Sequence, residues 1–293
     1  MLRFGFLFKC GIVLACACPP IHATSQAIIK DVSAGEYGFS KLLVIQRHQL
    51  NPTHVYTYHQ ENLKPGGALY IADFAQGQVN LTQLVDSSAG VILDASVHYD
   101  GETILFSWKR DMDAFFQLYT IKRDGSQLKQ LACHASNNFN ACWLPDGGIV
   151  FLSDRKPAFA YCWHTTTPIL WRCAADGTQA TRISANYLND FTPAVLRTGR
   201  IIYSRWEYVD RPAIPIQSLW SINPDGTMLQ GVFGNRALSP ATFMDAKEVP
   251  GSNGKILCIL TAHNGPCRGA VGLVDPSLGA NAQAVHEGHA QHE

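Results

Sequence analysis

The sequence predicts an all-β fold, a β-propeller with four evident four-stranded blades plus a partial or composite fifth. Two families of repeated segments and one kind of turn carry that prediction. The first family is "DASVHYDGETILFSWKR" from Asp94, "NACWLPDGGIVFLSDR" from Asn140 and "DFTPAVLRTGRIIYSRWE" from Asp190. Each is a short strand, a Gly-containing turn and an alternating apolar strand ending in charge. The second family lies between them: "GALYIADFAQGQVNLTQL" from Gly67, "FQLYTIKRDGSQLKQL" from Phe116, "ILWRCAADGTQATRIS" from Ile169 and "SLWSINPDGTMLQGVF" from Ser218, each two strands around a tight turn. The turns are mostly Asp-Gly or Thr-Gly, and the strands are rich in β-branched and aromatic side chains.

Together the families make a four-stranded unit recurring at roughly fifty residues, a propeller-blade period. One such sheet alone leaves too much apolar surface in water, so neighbours must stack radially. A β-sandwich of equal strand count does not explain a repeat that preserves its turn chemistry. Four units cover 67–262. A lone strand, "KLLVIQ" from Lys41, precedes them and another, "GAVGLVD" from Gly269, follows. A fifth blade shared between those two strands would tie the ends together.

The chain has 293 residues, 46% of them apolar, which is ample for a sizeable core over 26–279. Lys plus Arg balances Asp plus Glu, 23 against 23. No basic field exists to attract phosphate backbones or anionic lipid, so nucleic acid is excluded as an expected partner. Residues 1–25 read as an export signal: Arg3 and Lys9, a short apolar run, then small residues suited to cleavage near Ala17 or after Ala23. That run is too short and interrupted to span a bilayer. "VLAC" ending at Cys16 is a loose lipoprotein box, and a plain signal to the periplasm is preferred. Residues 280–293 are polar and aperiodic, an expected disordered tail whose His286, His289 and His292 are given no native role.

Beyond the leader six cysteines remain: Cys133, Cys142, Cys162, Cys173, Cys258 and Cys267. An even count in an exported chain permits disulfides, with no pairing readable. There is no CxxCH, which excludes covalent c-type haem attachment of the usual kind, and no GxSxG, HExxH or phosphate-binding glycine loop.

Propeller geometry decides which connections meet. The Asp-Gly and Thr-Gly turns at 100–101, 124–125, 146–147, 176–177, 198–199 and 225–226 fall on one end and read as structure only. The long connections, read here as interblade links, fall on the other: "RHQLNPTHVYTYHQENLKPGG", "KRDMDAF", "DRKPAFAYCWHTTTP", "RWEYVDRPAIPIQ" and "AHNGPCRG". With them lie "ACHASNNFNAC", "NYLNDFTP" and "FGNRALSP". Loops that carry function are expected on one face of a rigid scaffold. His48, His54, His59, Cys133, His134, Cys162, His164, His263 and Cys267 are therefore candidate ligands for zinc, copper or iron, since imidazole and thiolate are the donors these metals select. The competing reading is histidines that cap loops and cysteines buried as small hydrophobes. Tyr56, Tyr58, Trp163, Arg205, Trp206, Glu207, Tyr208, Asp210 and Arg211 form an expected binding face, although Arg205, Glu207, Asp210 and Arg211 also read as charges that pair to hold a long loop.

The phrases "LNPTHVYTYH" with "PGGALYIAD", "LPDGGIVFLSDR", "DFTPAVLRTGRIIYSRWEYVDR", "LWSINPDG" and "GAVGLVDPSLG" resemble the propeller-containing alpha subunit of hydrazine synthase and its exported relatives, over 41–279. The resemblance implies the middle propeller of a larger c-type cytochrome subunit, one that condenses a nitric oxide-derived species with ammonia at haem. The matching phrases contain no haem-attachment cysteine, so no haem ligand is carried over. The functional expectation is an exported propeller for binding or assembly, whose long loops receive a partner subunit, a peptide or a polysaccharide. The alternatives are a metal- or haem-dependent oxidoreductase component, with haem held noncovalently or supplied by a partner chain, and a truncated product of a longer gene.

Overall fold

The computed structural model describes residues 21–131, 134–209, 216–237 and 239–281. Among the described residues eighteen strands form four sheets that make five blades of a propeller, the fourth and fifth blades sharing one sheet. The first blade is β1 (Lys41–Arg47), β2 (Gly67–Ala75) and β3 (Gln78–Asp86). The second is β4 (Val91–Val97), β5 (Thr103–Lys109), β6 (Gln117–Lys122) and β7 (Lys129–Gln130). The third is β8 (Asn138–Trp143), β9 (Ile149–Ser153), β10 (Ile169–Cys173) and β11 (Thr181–Arg182). The fourth is β12 (Asp190–Val195), β13 (Ile201–Trp206), β14 (Gln217–Ile222) and β15 (Gln230–Phe233). The fifth is β16 (Thr242–Glu248), β17 (Ile256–Thr261) and β18 (Ala270–Val274), joined to β14 by one parallel pair, Gln217 with Thr242. Within every blade the strands are antiparallel.

The propeller class read from the repeats is observed, with two corrections of phase. Lys41–Arg47 does not share a composite blade with Ala270–Val274; it pairs with β2, while Ala270–Val274 pairs with β17. Nor are the long connections interblade links. They join β1 to β2, β5 to β6, β9 to β10, β13 to β14 and β17 to β18, all within blades. The links between blades are instead 87–90, 131–137, 183–189 and 234–241. The reason is local ambiguity: both halves of a blade are hairpins of similar length, so sequence spacing does not say which two belong to one sheet. Because second-to-third and interblade connections emerge on the same end, the assignment of loops to one face survives.

By the same reckoning β1 is a second strand and β18 a third strand. The first blade thus lacks a first strand and the fifth a fourth, among the described residues. The helix α1 (Ile21–Ser33) packs Ile28, Ile29 and Val32 on Val44, Ala72 and Phe74 of the first blade. Residues 1–20 of the expected leader and 282–293 of the expected tail lie outside the described residues.

Toward the axis the inner strands repeat one device, a bulge near the strand start in β4, β8, β12 and β16. Three of these bulges put a non-glycine residue at positive φ: Asn140 at 49°, Thr192 at 40° and Asp245 at 53°. Bulged strands twist and re-aim their polar groups, and here those groups reach across blades. The Asp94 carboxylate accepts from the backbone N–H of Asn140 at 2.7 Å and of Ala141 at 3.2 Å. The Asp245 N–H donates to Thr192 Oγ1 at 3.0 Å. Burial lowers the Arg47 pKa, and the nearby Asp245 and Asp94 carboxylates oppose that shift.

Candidate functional site

The β1–β2 connection crosses the loop end of the channel as a plug rather than as a rim loop. Residues Val55–Thr57 make one 3-10 turn, and Val55, Tyr56, Thr57, Tyr58 and His59 are all buried. Val55, Tyr56 and Tyr58 join a single apolar cluster with Leu93 and Phe116 of the second blade, Phe139 of the third, Phe191 and Trp206 of the fourth and Met244 of the fifth. One loop of the first blade thereby packs against the other four.

The plug is held at every step. The Val55 N–H donates to His263 O at 3.0 Å and the Gly265 N–H to Thr53 O at 2.8 Å, tying the first blade to the fifth. Tyr58 Oη donates to Asn140 Oδ1 on the third blade's bulge. His59 lies flat on Phe139, centroids 5.0 Å apart, with Nε2 3.1 Å from Thr166 Oγ1. Glu61 accepts from Thr53 N–H at 2.9 Å and Thr57 Oγ1 at 2.5 Å. Those bonds hold the Glu61 carboxyl low against the burial that would raise it. At the hinge back into β2, Gly67 sits at φ 125°, and a Cβ there would stand 1.9 Å from Gln46 O. Only glycine fits this crossing, which accounts for the Pro-Gly-Gly sequence.

Above the plug is an aromatic platform. Tyr56 stacks on Trp206 with centroids 4.4 Å apart, and its Oη is 3.2 Å from Cys162 Sγ. His263 leans on Trp206 at 5.1 Å and receives Gln217 Nε2 at 2.7 Å. His54 lies 5.2 Å from Trp163 and 6.0 Å from His263. Outward from these, Tyr161 meets Tyr187 and Tyr208, both at 5.9 Å. Tyr187 Oη donates to Tyr208 O, and Lys156 Nζ donates to Asn186 O and Tyr187 O at 3.0 Å. Burial brings the Lys156 ammonium down to about 8.

Beneath the platform lies a buried charge network that sequence reasoning only half saw. Asp190, fully buried, accepts from Asn186 Nδ2 at 3.0 Å and Leu170 N–H at 3.2 Å, with Arg205 Nη1 at 3.8 Å. Burial pushes the Asp190 carboxyl up despite Arg205. Arg205 Nε pairs with Glu207 at 2.8 Å, so the Arg205–Glu207 part of the expected loop clamp is present. Asp154 plays a parallel role on the third blade, accepting from Asn137 N–H at 2.7 Å and Thr166 Oγ1 at 2.7 Å. The recurrence of Asp at the end of "LSDR" and the start of "DFTP" was the available signal for both.

The candidate ligands do not share one opening. His54 and His263 are brought together, and Cys162 stands behind Tyr56. His59 is buried under the plug, His48 and His164 are exposed, and His134 lies in a cleft between the second and third blades. Cys267 donates to Val55 O at 3.3 Å, and burial pushes its thiol up to about 12. Cys133 lies outside the described residues. Two imidazoles do not complete a ligand set, and among the described residues no group of three or more His, Cys, Asp or Glu is arranged to hold a metal. Cys162, Cys173, Cys258 and Cys267 are free thiols, so the permitted disulfides do not form among these four. On the expected binding face Tyr56, Tyr58, Arg205 and Trp206 prove buried, the floor rather than the surface, because the plug turns its aromatic residues inward. Trp163 and Tyr208 are exposed as expected, joined by Phe159, Tyr161 and Tyr187. Asp210 and Arg211 lie outside the described residues.

Comparison with solved structures sets this architecture among known ones. Hydrazine synthase from Kuenenia stuttgartiensis superposes with a TM-score of 0.60 at 15% identity, covering 76% of this chain and 35% of that one. The chain therefore spans about a third of the hydrazine synthase chain it resembles. A chain of the nidogen/laminin complex superposes with a TM-score of 0.50 at 9% identity, covering 73% and 72%. The fold is a β-propeller. TolB from Acinetobacter baumannii matches at a TM-score of 0.48 and 14% identity, over 79% of this chain and 53% of that one. No protein-family model and no curated protein matches the chain. At these identities the likeness shows the fold alone. No helix among the described residues is long and apolar enough to cross a membrane.

Proposed function

We propose that this chain is an exported propeller that serves as a binding or assembly module, with the aromatic loop end as its contact face. One observation carries the reading. Phe159, Tyr161, Trp163, Tyr187 and Tyr208 stand exposed on the loop end, Tyr161 to 69% and Trp163 to 43%, over a fully packed floor. Aromatic residues offer large rigid contact area at low entropic cost, and clustered exposed ones mark contact sites. Five exposed rings spread over the buried Tyr56 and Trp206 favour an extended occupant: a peptide strand, a polysaccharide or the surface of a partner subunit. Export rests on the leader-like residues 1–25.

The test is tryptophan fluorescence and calorimetry of the purified protein against soluble polysaccharides and extended peptides. Binding lost by Tyr161→Ala with Trp163→Ala, and kept by Asp124→Ala on the opposite end, supports the contact face. Equal loss from both ends overturns it. The oxidoreductase alternative would have to complete its ligand set with donors from a partner chain or from residues outside those described. Stoichiometric zinc, copper or iron, or haem, in protein purified from its native compartment would establish it in place of the binding module.

A further inference from the structure

A cavity of about 200 Å³ opens in the wedge between the second and third blades. Its wall is apolar at Leu118, Phe151, Cys173 and Ala180, and polar at His134 and Arg155. Arg155 is posed there with unusual rigidity. Its Nε donates to Ser153 Oγ at 2.9 Å and its Nη2 to Asn138 Oδ1 at 2.8 Å. The guanidinium lies over Trp171, 4.7 Å from the ring centroid, and 5.5 Å from that of Phe151.

What this cation lacks is a direct ion pair. Among the described residues no carboxylate comes within ion-pair distance of Arg155. The adjacent Asp154 carboxylate is engaged by Asn137 and Thr166. The Cys173 thiol, pushed up to about 12 by burial, supplies no negative charge at neutral pH. Burial lowers the Arg155 pKa and the nearby Asp154 charge offsets only part of that, so a half-buried cation whose direct contacts are neutral acceptors and aromatic faces keeps an uncompensated desolvation cost. His134 Nδ1 is 3.1 Å from Ser136 Oγ. When Nδ1 accepts the Ser136 hydroxyl, Nε2 carries the hydrogen and adds a second donor at the cavity wall.

We propose that this cavity binds a small organic anion, a carboxylate with a compact apolar body, whose carboxylate pairs with the Arg155 fork while its body lies against Leu118, Phe151 and Ala180. Arginine presents its donors in a fork that matches a carboxylate. A dry cavity of roughly 150 Å³ is enough for benzene, so a ring of that size with one carboxylate fits here. The proposal is independent of the aromatic face.

The experiment titrates the full chain with sodium benzoate, with benzamide as the neutral isostere and with inorganic sulfate, read by calorimetry and by quenching of Trp171. Benzoate is expected to bind at least tenfold more tightly than benzamide or sulfate. Arg155→Gln is expected to lose that preference. Ala180→Phe, which fills the cavity and leaves Arg155 in place, is expected to abolish benzoate binding and keeps the test decisive if the Arg155 variant fails to fold. Benzoate and benzamide binding alike, sulfate binding as tightly as benzoate, no benzoate binding at millimolar concentration, or benzoate binding unchanged in Ala180→Phe each overturns the proposal.

Discussion

The two ends of this propeller are built by opposite rules. On the turn end, Asp100, Asp124, Asp146, Asp176 and Asp225 each accept the backbone N–H two residues on, at 2.8 to 3.0 Å. Hydrogen bonds from the Thr103 backbone to Asp100 and from the Ser126, Thr178 and Thr227 side chains to Asp124, Asp176 and Asp225, with those backbone bonds second, hold the four carboxyls below the ordinary aspartate range. One solution is used five times. On the loop end no two connections do the same thing. One is a plug, one carries Tyr161 and Trp163, one carries Glu207 and Tyr208, and one meets the plug through His263. Where a repeat protein repeats, it is making blades; where it stops repeating, it is making something particular.

If that contrast holds, damage should scale with distance from the repeated turns. The largest effect is expected at the plug. Tyr56→Ala removes a fully buried ring stacked on Trp206 and should cost about 3–5 kcal/mol, measured by urea denaturation. A loss under about 1 kcal/mol would mean the plug is not part of the core.

Next is pH. Burial brings His59 down to about 4, against 6.5 for the free side chain. The unfolded chain therefore binds a proton on this residue between those values and the folded chain does not. Stability from His59 is complete above about pH 6.5 and falls as pH drops toward 4, by on the order of 3 kcal/mol. Burial, with the nearby His54, also brings His263 to about 4, so it acts in the same direction. A denaturation series in which His59→Gln flattens this slope would sharpen the plug's role; an unchanged slope would contradict it.

A smaller effect belongs to the turn end. Gly147 has φ 82° and nothing within 4 Å of a Cβ built there, so Gly147→Ala should cost only about 1–2 kcal/mol of backbone strain. The smallest is at the exposed aromatics. Tyr161→Ala with Trp163→Ala should leave the unfolding free energy from urea denaturation within about 0.5 kcal/mol of the parent, because these side chains face water. A large loss there would make them structural and remove the argument for a contact face.

The parts legible in the sequence were those set by local chemistry. Asp-Gly turns and alternating strands announce themselves within a dozen residues, so the propeller and the two ends could be read directly. Blade phase could not, because Ile169–Cys173 pairs with β9 across a fifteen-residue loop and nothing local says so. The plug was hidden for a related reason. Tyr56 and Tyr161 look alike in sequence, each an aromatic residue beside a histidine or cysteine in a long connection, yet one is fully buried and the other mostly exposed. What separates them is whether a channel lies beneath, a tertiary fact. The one usable hint was that "PTHVYTYH" carries no acidic, lysine or arginine residue in an otherwise charged connection.

The account stands on residues 54–59 being the hub of the molecule. Hydrogen exchange resolved to single amides measures this directly. The Val55 N–H, bonded to His263 O at 3.0 Å, should exchange only with global unfolding, as slowly as the amides of Val91–Val97. Exchange of Val55 at the rate of the exposed 161–164 segment would show an ordinary surface connection and contradict the account.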